Sequence, residues 1–128
     1  MVKSTESCPC GEALRYDEHC EIVHLRGAGL GAKAEDLMRA RYSAYVMHMR
    51  EFLLNSWHST TRPDQLEFDP SIKWHGLTIL DTQAGGALDS TGMVEFLARF
   101  ERGGEPLELH ERSSFERVNG QWFYVDAE

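Results

Sequence analysis

The chain has 128 residues, room for one domain of ordinary size and a short appendage. Its 21 acidic side chains outnumber 13 basic ones, for a formal charge of -8. Residues 1–32 hold three basic and five acidic groups and residues 33–128 hold ten and sixteen, so no segment offers the basic surface that non-specific binding to nucleic acid or anionic membrane requires. A hydrophobic fraction of 41%, with three Trp, four Tyr and six Phe, excludes a disordered chain and can supply a compact core.

The first seven residues contain no apolar run of the signal-peptide kind, and no stretch approaches membrane-spanning length. All three cysteines fall between positions 8 and 20. Such a cluster without a secretion signal predicts a reducing cytoplasm and a metal site in place of a disulfide framework. Cys8-Pro9-Cys10-Gly11 places two thiols one residue apart, able to reach one ion across a sharp turn that Pro9 and Gly11 encourage. His19 and Cys20 are adjacent, so one of them must turn inward from a bent backbone. His24 lies four residues after Cys20, a helical spacing, and is an alternative to His19 as the nitrogen ligand. Three sulfurs and one nitrogen saturate tetrahedral zinc and leave no open position, which argues for a structural site over a catalytic one. The same sulfur-rich set also accepts iron. Residues 1–26 carry few apolar side chains, so bound metal must supply their folding energy, on the order of 10 kcal/mol. Residues 27–32, with Gly27, Gly29 and Gly31, read as a flexible joint across which the two flanking parts fold independently. No strand precedes the joint and no Lys-Ser/Thr closes it, against a phosphate loop.

From Lys33 the period becomes helical: Ala34, Leu37, Met38, Tyr42, Tyr45, Val46 and Met49 share one stripe. Glu35 and Asp36 complement the helix dipole, although the N-cap position, Ala32 or Lys33, is poor. A bend is expected near residues 48–50 before the stripe resumes through Trp57. Pro63 and Pro70 punctuate a loop. Strands are predicted over 72–80, 93–101, 107–118 and 121–126. In the second, Val94, Phe96, Ala98 and Phe100 face one way, and Glu95, Arg99 and Glu101 the other. Asn119-Gly120 predicts a type I′ hairpin. Helices followed by antiparallel strands give an α+β layout, the helices on one face of a curved sheet.

Candidates for acid–base chemistry are His58, His75 and His110, with Glu95, Asp81 or Glu111 as partners, but no spacing ties any of these pairs together. Adjacent His110 and Glu111 point to opposite faces of their strand. The remaining polar-aromatic group, Trp57, His58, Arg62, Trp74 and His110, is the candidate ligand pocket, although Trp57 and Trp74 also read as core. Arg41 and Arg62 read as ion-pair partners of the many acidic side chains, with an anion site as the alternative.

Cys8-Pro9-Cys10-Gly11 with His19-Cys20 resembles the SEC-C motif, the short metal-binding tail also found on the SecA preprotein translocase. Leu37-Met38-Arg39-Ala40-Arg41-Tyr42-Ser43-Ala44-Tyr45, Trp57-His58-Ser59-Thr60-Thr61-Arg62-Pro63, and the closing stretches His110-Glu111-Arg112-Ser113-Ser114-Phe115 and Gly120-Gln121-Trp122-Phe123-Tyr124-Val125-Asp126 resemble the bacterial YchJ-like proteins. The resemblance covers nearly the whole chain. It implies a SEC-C module at 1–26 and a nuclear transport factor 2-like cone at 33–128. It also implies that Cys8, Cys10, His19 and Cys20 are the ligands, since His19 occupies a motif position, with zinc as the metal. Protein contacts are the implied role of such a module, as in SecA, and a second copy of the chain or a small ligand is a candidate partner for the cone. The resulting reading is a noncatalytic zinc-binding protein, with a small enzyme using the cone as the alternative. The chain departs from the family in carrying His19-Cys20 for Cys-Cys, and in lacking the glycine that usually parts the two helices, which implies a weaker bend near residues 47–50.

Overall fold

The computed structural model describes residues 6–11, 15–29 and 32–127. Residues 30 and 31 of the expected joint, and 1–5, 12–14 and 128, lie outside the described residues. After a single 3-10 turn at Tyr16–Glu18 come helices α1 (Cys20–Arg26), α2 (Ala34–Val46) and α3 (Arg50–Asn55). Strands β1 (Ile72–Ala84), β2 (Thr91–Arg102), β3 (Glu105–Val118) and β4 (Gln121–Ala127) follow. The strands form one antiparallel meander in the order β1-β2-β3-β4. They lie where the alternation placed them and run a few residues longer.

The turns follow from local chemistry. Asn119 and Gly120 both have positive φ (51° and 84°) and join Val118 directly to Gln121, as a type I′ turn requires. Gly103 and Gly104 (58° and 87°) do the same between Arg102 and Glu105. Two register shifts in β1, between Trp74 and Gly76 and between Ile79 and Asp81, bend the strand, and such bulges curve a sheet.

Helix α2 crosses the inner face of the sheet and packs on β1, β2 and β4. Leu37, Ala40 and Ala44 from the helix are buried with Leu77, Val94, Phe96, Ala98, Phe115 and Trp122 from the strands. The poor N-cap of α2 is remedied by Asp36, whose carboxylate accepts the Lys33 backbone N–H at 2.8 Å. The bend expected near residues 48–50 is present: α2 and α3 are separated at residues 47–49 without a glycine. His48 takes the left-handed conformation itself (φ 56°), its ring stacked on Phe68 at 4.5 Å and 8°. That stacking offsets the cost of placing a non-glycine residue there.

The amino-terminal module is docked on this body. The buried cluster that contains Cys8, Cys10, Tyr16 and Cys20 also contains Leu37, Phe96, Phe115 and Trp122. Arg117 of β3 donates to five backbone carbonyls: Gly29 and Ala32 before α2, Ala87 and Asp89 in the β1–β2 loop, and Gly120 in the hairpin turn. Trp122 adds two bonds to the same stretch, its backbone N–H to Ala28 and its indole N–H to Ala32. The described ends of the joint are therefore tied to the sheet.

Candidate metal centre and cone cavity

Cys8 and Cys10 sit on a turn closed by the Gly11 N–H donating to the Cys8 carbonyl at 3.2 Å, with Gly11 at φ 89°. His19 ends the 3-10 turn with an irregular backbone (φ -135°, ψ -103°), and Cys20 opens α1. This kink turns both adjacent residues inward. The Sγ atoms of Cys8, Cys10 and Cys20 and a ring nitrogen of His19 all lie within 4.8 Å of one another. Cys8 and Cys10 Sγ are 3.4 Å apart, and His19 Nδ1 is 3.2 Å from Cys10 Sγ and 3.3 Å from Cys20 Sγ. A zinc tetrahedron with usual bond lengths has edges of about 3.5–3.8 Å, so the four donors stand close to the vertices such an ion needs. All three cysteines are buried and none is in a disulfide. Cys10's hydrogen bonding drives Cys8 well below the ordinary thiol range and Cys20 well above it. Three thiols in contact cannot all ionise without a cation among them, so the donor set fits a soft or borderline metal ion.

His24, the alternative nitrogen ligand, is elsewhere. Its Nδ1 accepts from the Tyr16 hydroxyl at 2.5 Å and its Nε2–H donates to the Ala40 carbonyl at 2.7 Å. It pins α1 to α2. Two further residues of α2 reach the centre. Ser43 Oγ lies 3.4 Å from Cys20 Sγ and 3.7 Å from Cys8 Sγ, and Arg39 donates to the Cys10 carbonyl at 3.2 Å. Sequence reasoning missed both. The available signal was Ser43 itself, a small polar residue between Tyr42 and Ala44 and one helical turn after Arg39.

The five residues of the candidate pocket do not converge. Trp57 and Trp74 line a cavity of about 340 Å³ between α2 and the sheet, with Met38, Arg41, Tyr42, Tyr45, Phe96, Leu109, Glu111 and Tyr124 also on its walls. His58 and Arg62 flank a separate hollow with Phe123 and Val118. His110 is on the outer face of the sheet, where its Nε2 meets the Glu95 carboxylate at 2.6 Å. The reason is strand alternation: Glu111 points into the cone, so His110 points out. His75 is likewise exposed and paired with Glu101. Neither arginine forms the expected ion pair among the described residues. Arg62 donates twice to the Trp57 carbonyl, and Arg41 Nη1 donates to the Leu53 carbonyl and Ser56 Oγ. The Arg41 guanidinium carbon stands 4.9 Å from the ring centroid of Trp57 and 4.5 Å from that of Tyr124. Trp57's indole nitrogen is buried with no partner.

Residues 33–127 match the family described as "YchJ, middle NTF2-like domain". The chain belongs to the YchJ-like family. A UPF0225 protein of Streptomyces coelicolor is 48% identical to this YchJ-like chain over 124 residues, spanning 97% of the chain and 96% of that protein. One from Xanthomonas campestris is 45% identical over 127 residues, spanning 96% and 95%. Among solved structures, a SEC-C motif containing protein from Rhodopseudomonas palustris superposes with a TM-score of 0.81 at 32% identity, over 94% of this chain and 96% of that one. Another, from Psychrobacter arcticus, gives 0.77 at 26% identity, over 96% and 82%. The fold is thus a nuclear transport factor 2-like α+β cone with a SEC-C module at its amino-terminal end. No helix among the described residues is long and apolar enough to cross a membrane.

Proposed function

We propose that this YchJ-like chain is a noncatalytic zinc protein whose SEC-C module is a protein-recognition element held rigidly on the cone. The observation that carries the reading is the closed donor set: Cys8, Cys10, His19 and Cys20 all converge, and four protein ligands leave zinc no position for water or substrate. Zinc bound there would supply a redox-inert cross-link between the turn at Cys8 and the start of α1, and no chemical step. Recognition is supported by α1, which turns Ile22 and Leu25 to solvent at 47% and 78% exposure while its Cys20 faces inward. Large apolar side chains held out on a rigid short helix suit a protein contact. Against the enzyme alternative, His58, His110 and Glu95 do not meet in the cavity. The absence of a basic surface weighs against nucleic acid as partner, and the proposed setting is the cytoplasm, where the thiols stay reduced.

Elemental analysis of the purified protein is expected to give about one zinc per chain. His19→Ala should lower zinc retention, while His24→Gln should leave it, because both His24 nitrogens are used elsewhere. Protein purified without metal that takes up none would end the reading, and iron in place of zinc would revise it. Comparative capture from lysate with intact, Cys8→Ser and Leu25→Glu protein tests recognition: a partner retained equally by all three does not use the module.

A further inference from the structure

The cavity between α2 and the sheet holds a charge that the protein itself does not neutralise. Arg41 is 4% exposed, yet among the described residues it forms no ion pair. Burial lowers its pKa to about 10, so it remains a cation at neutral pH. A buried arginine is normally matched by a carboxylate, because an unpaired buried charge is costly. Here the guanidinium rests on the rings of Trp57 and Tyr124, with Nη1 tied to the Leu53 carbonyl and Ser56 and a further hydrogen bond to the Tyr45 side chain, none of these partners a carboxylate. The one acidic group on the same walls is Glu111, whose carboxylate makes no hydrogen bond or ion pair among the described residues, and burial raises its pKa. Two opposite charges thus share a cavity without pairing. The other walls are flat and apolar: Tyr42, Trp74, Phe96 and Leu109. Tyr45, Trp57, Trp74 and Glu111 are only partly buried, so the space is reachable from outside.

We propose that the cone cavity is a binding site for a small organic monocarboxylate with a flat apolar body, its carboxylate on Arg41 and its body among Tyr42, Trp74, Phe96 and Leu109. The size suits it, since about 340 Å³ lies at the lower end of the range of small-molecule sites. One cation matches one anionic charge, and Glu111 on the same walls repels a dianion such as a phosphate ester. A planar carboxylate also matches the fork geometry of the guanidinium. This site is separate from the metal centre and does not depend on the role proposed for it.

The test uses the full-length zinc-loaded protein and three acids as probes: benzoate, hydrocinnamate and indoleacetate. Each is compared with its amide and with the amine of the same skeleton. Binding is read from the indole N–H resonances of Trp57 and Trp74 in nitrogen-15 NMR spectra, with Trp122, outside this cavity, as the internal control. At least one acid is expected to shift both cavity indoles at millimolar concentration, and its amide to bind about ten- to a hundred-fold more weakly, the loss that follows from removing a charge-assisted hydrogen bond. Glu111→Gln should tighten the acid by removing a like charge, whereas an amine ligand would lose its partner and weaken. Leu109→Trp fills the cavity from a partly buried position and should abolish the shifts. The proposal is overturned if none of the acids moves the indoles, if the amide or amine binds as well as the acid, or if the shifts survive Leu109→Trp in a variant whose remaining spectrum shows it folded.

Discussion

Both ring nitrogens of His24 are committed inside the protein, one accepting from Tyr16 and one donating to Ala40. That arrangement needs the neutral ring, and burial lowers its pKa below the ordinary 6.5. The unfolded chain therefore binds a proton on His24 at pH values where the folded chain does not. Stability from this group is present above about 6.5 and is lost as pH falls below it. Urea midpoints measured from about pH 7.5 down to about pH 5.5 should fall more steeply for the natural protein than for His24→Gln. Acid release of the metal affects both, so the difference isolates His24. Parallel slopes would show that the ring titrates freely. Spacing could not settle this residue's role, because a histidine four residues after Cys20 on a helix reaches a shared ion as readily as it reaches a carbonyl of a neighbouring helix. What separates the two outcomes is the position of α2, and α2 is placed by its contacts with the sheet.

At the level of elements, the strands and the place of the helix break were legible, and the means of the break was not. Alternation in Val94, Phe96 and Ala98 identifies the inner face of β2 because every second side chain must meet α2. The bend expected near residues 48–50 falls at residues 47–49, but the means by which the chain makes it left no such mark, since the residue that takes the left-handed conformation is His48 and its compensation, Phe68, lies twenty positions later. The cavity was half legible for a similar reason. Trp57 and Trp74 belong to it, but Arg41, Glu111 and Tyr124 come from a helix and two strands that nothing local links. One further joint between elements carries a sharp constraint. A Cβ on Gly92, at the start of β2, would lie 2.5 Å from Gly85 Cα and 3.1 Å from Ala34 Cβ. Backbone stands on one side and the first residue of α2 on the other, so neither can yield cheaply. Gly92→Ala is expected to cost about 1–3 kcal/mol, the range for overpacked sites. Gly103→Ala, with nothing within 4 Å of its Cβ, should suffer only the strain of its φ of 58°. Equal urea midpoints for the two variants would contradict the packing described at the β1–β2 junction.

For the molecule as a whole, the question is whether metal and cone are one cooperative unit. The glycines of residues 27–31 suggested two parts that fold separately, because sequence shows a flexible composition and not what fastens it. In the structure the cluster around Cys8 and Cys20 is continuous with that around Leu37 and Trp122, and Ser43, Arg39 and Ala40 of α2 each bond to the module. Chelation should therefore raise amide exchange not only near Cys10 but also in the middle of α2, around Ala40 and Ser43, while the centre of the sheet at Phe96 stays protected longer. Exchange confined to residues before position 27 would restore the picture of separate parts.

The five carbonyls held by Arg117 also set an order of events during synthesis. The bonds from its guanidinium to Ala32, and from the Trp122 indole to the same carbonyl, span 85 and 90 residues. At about 5–20 residues per second, the ribosome needs roughly 4–18 s after Ala32 to supply these donors. For that interval the three thiols sit on a segment whose anchor is still unmade. The nascent chain thus offers its cysteines to the metal and redox buffers of the cell before it can shelter them, and the pace of translation through β3 determines how long they stay exposed.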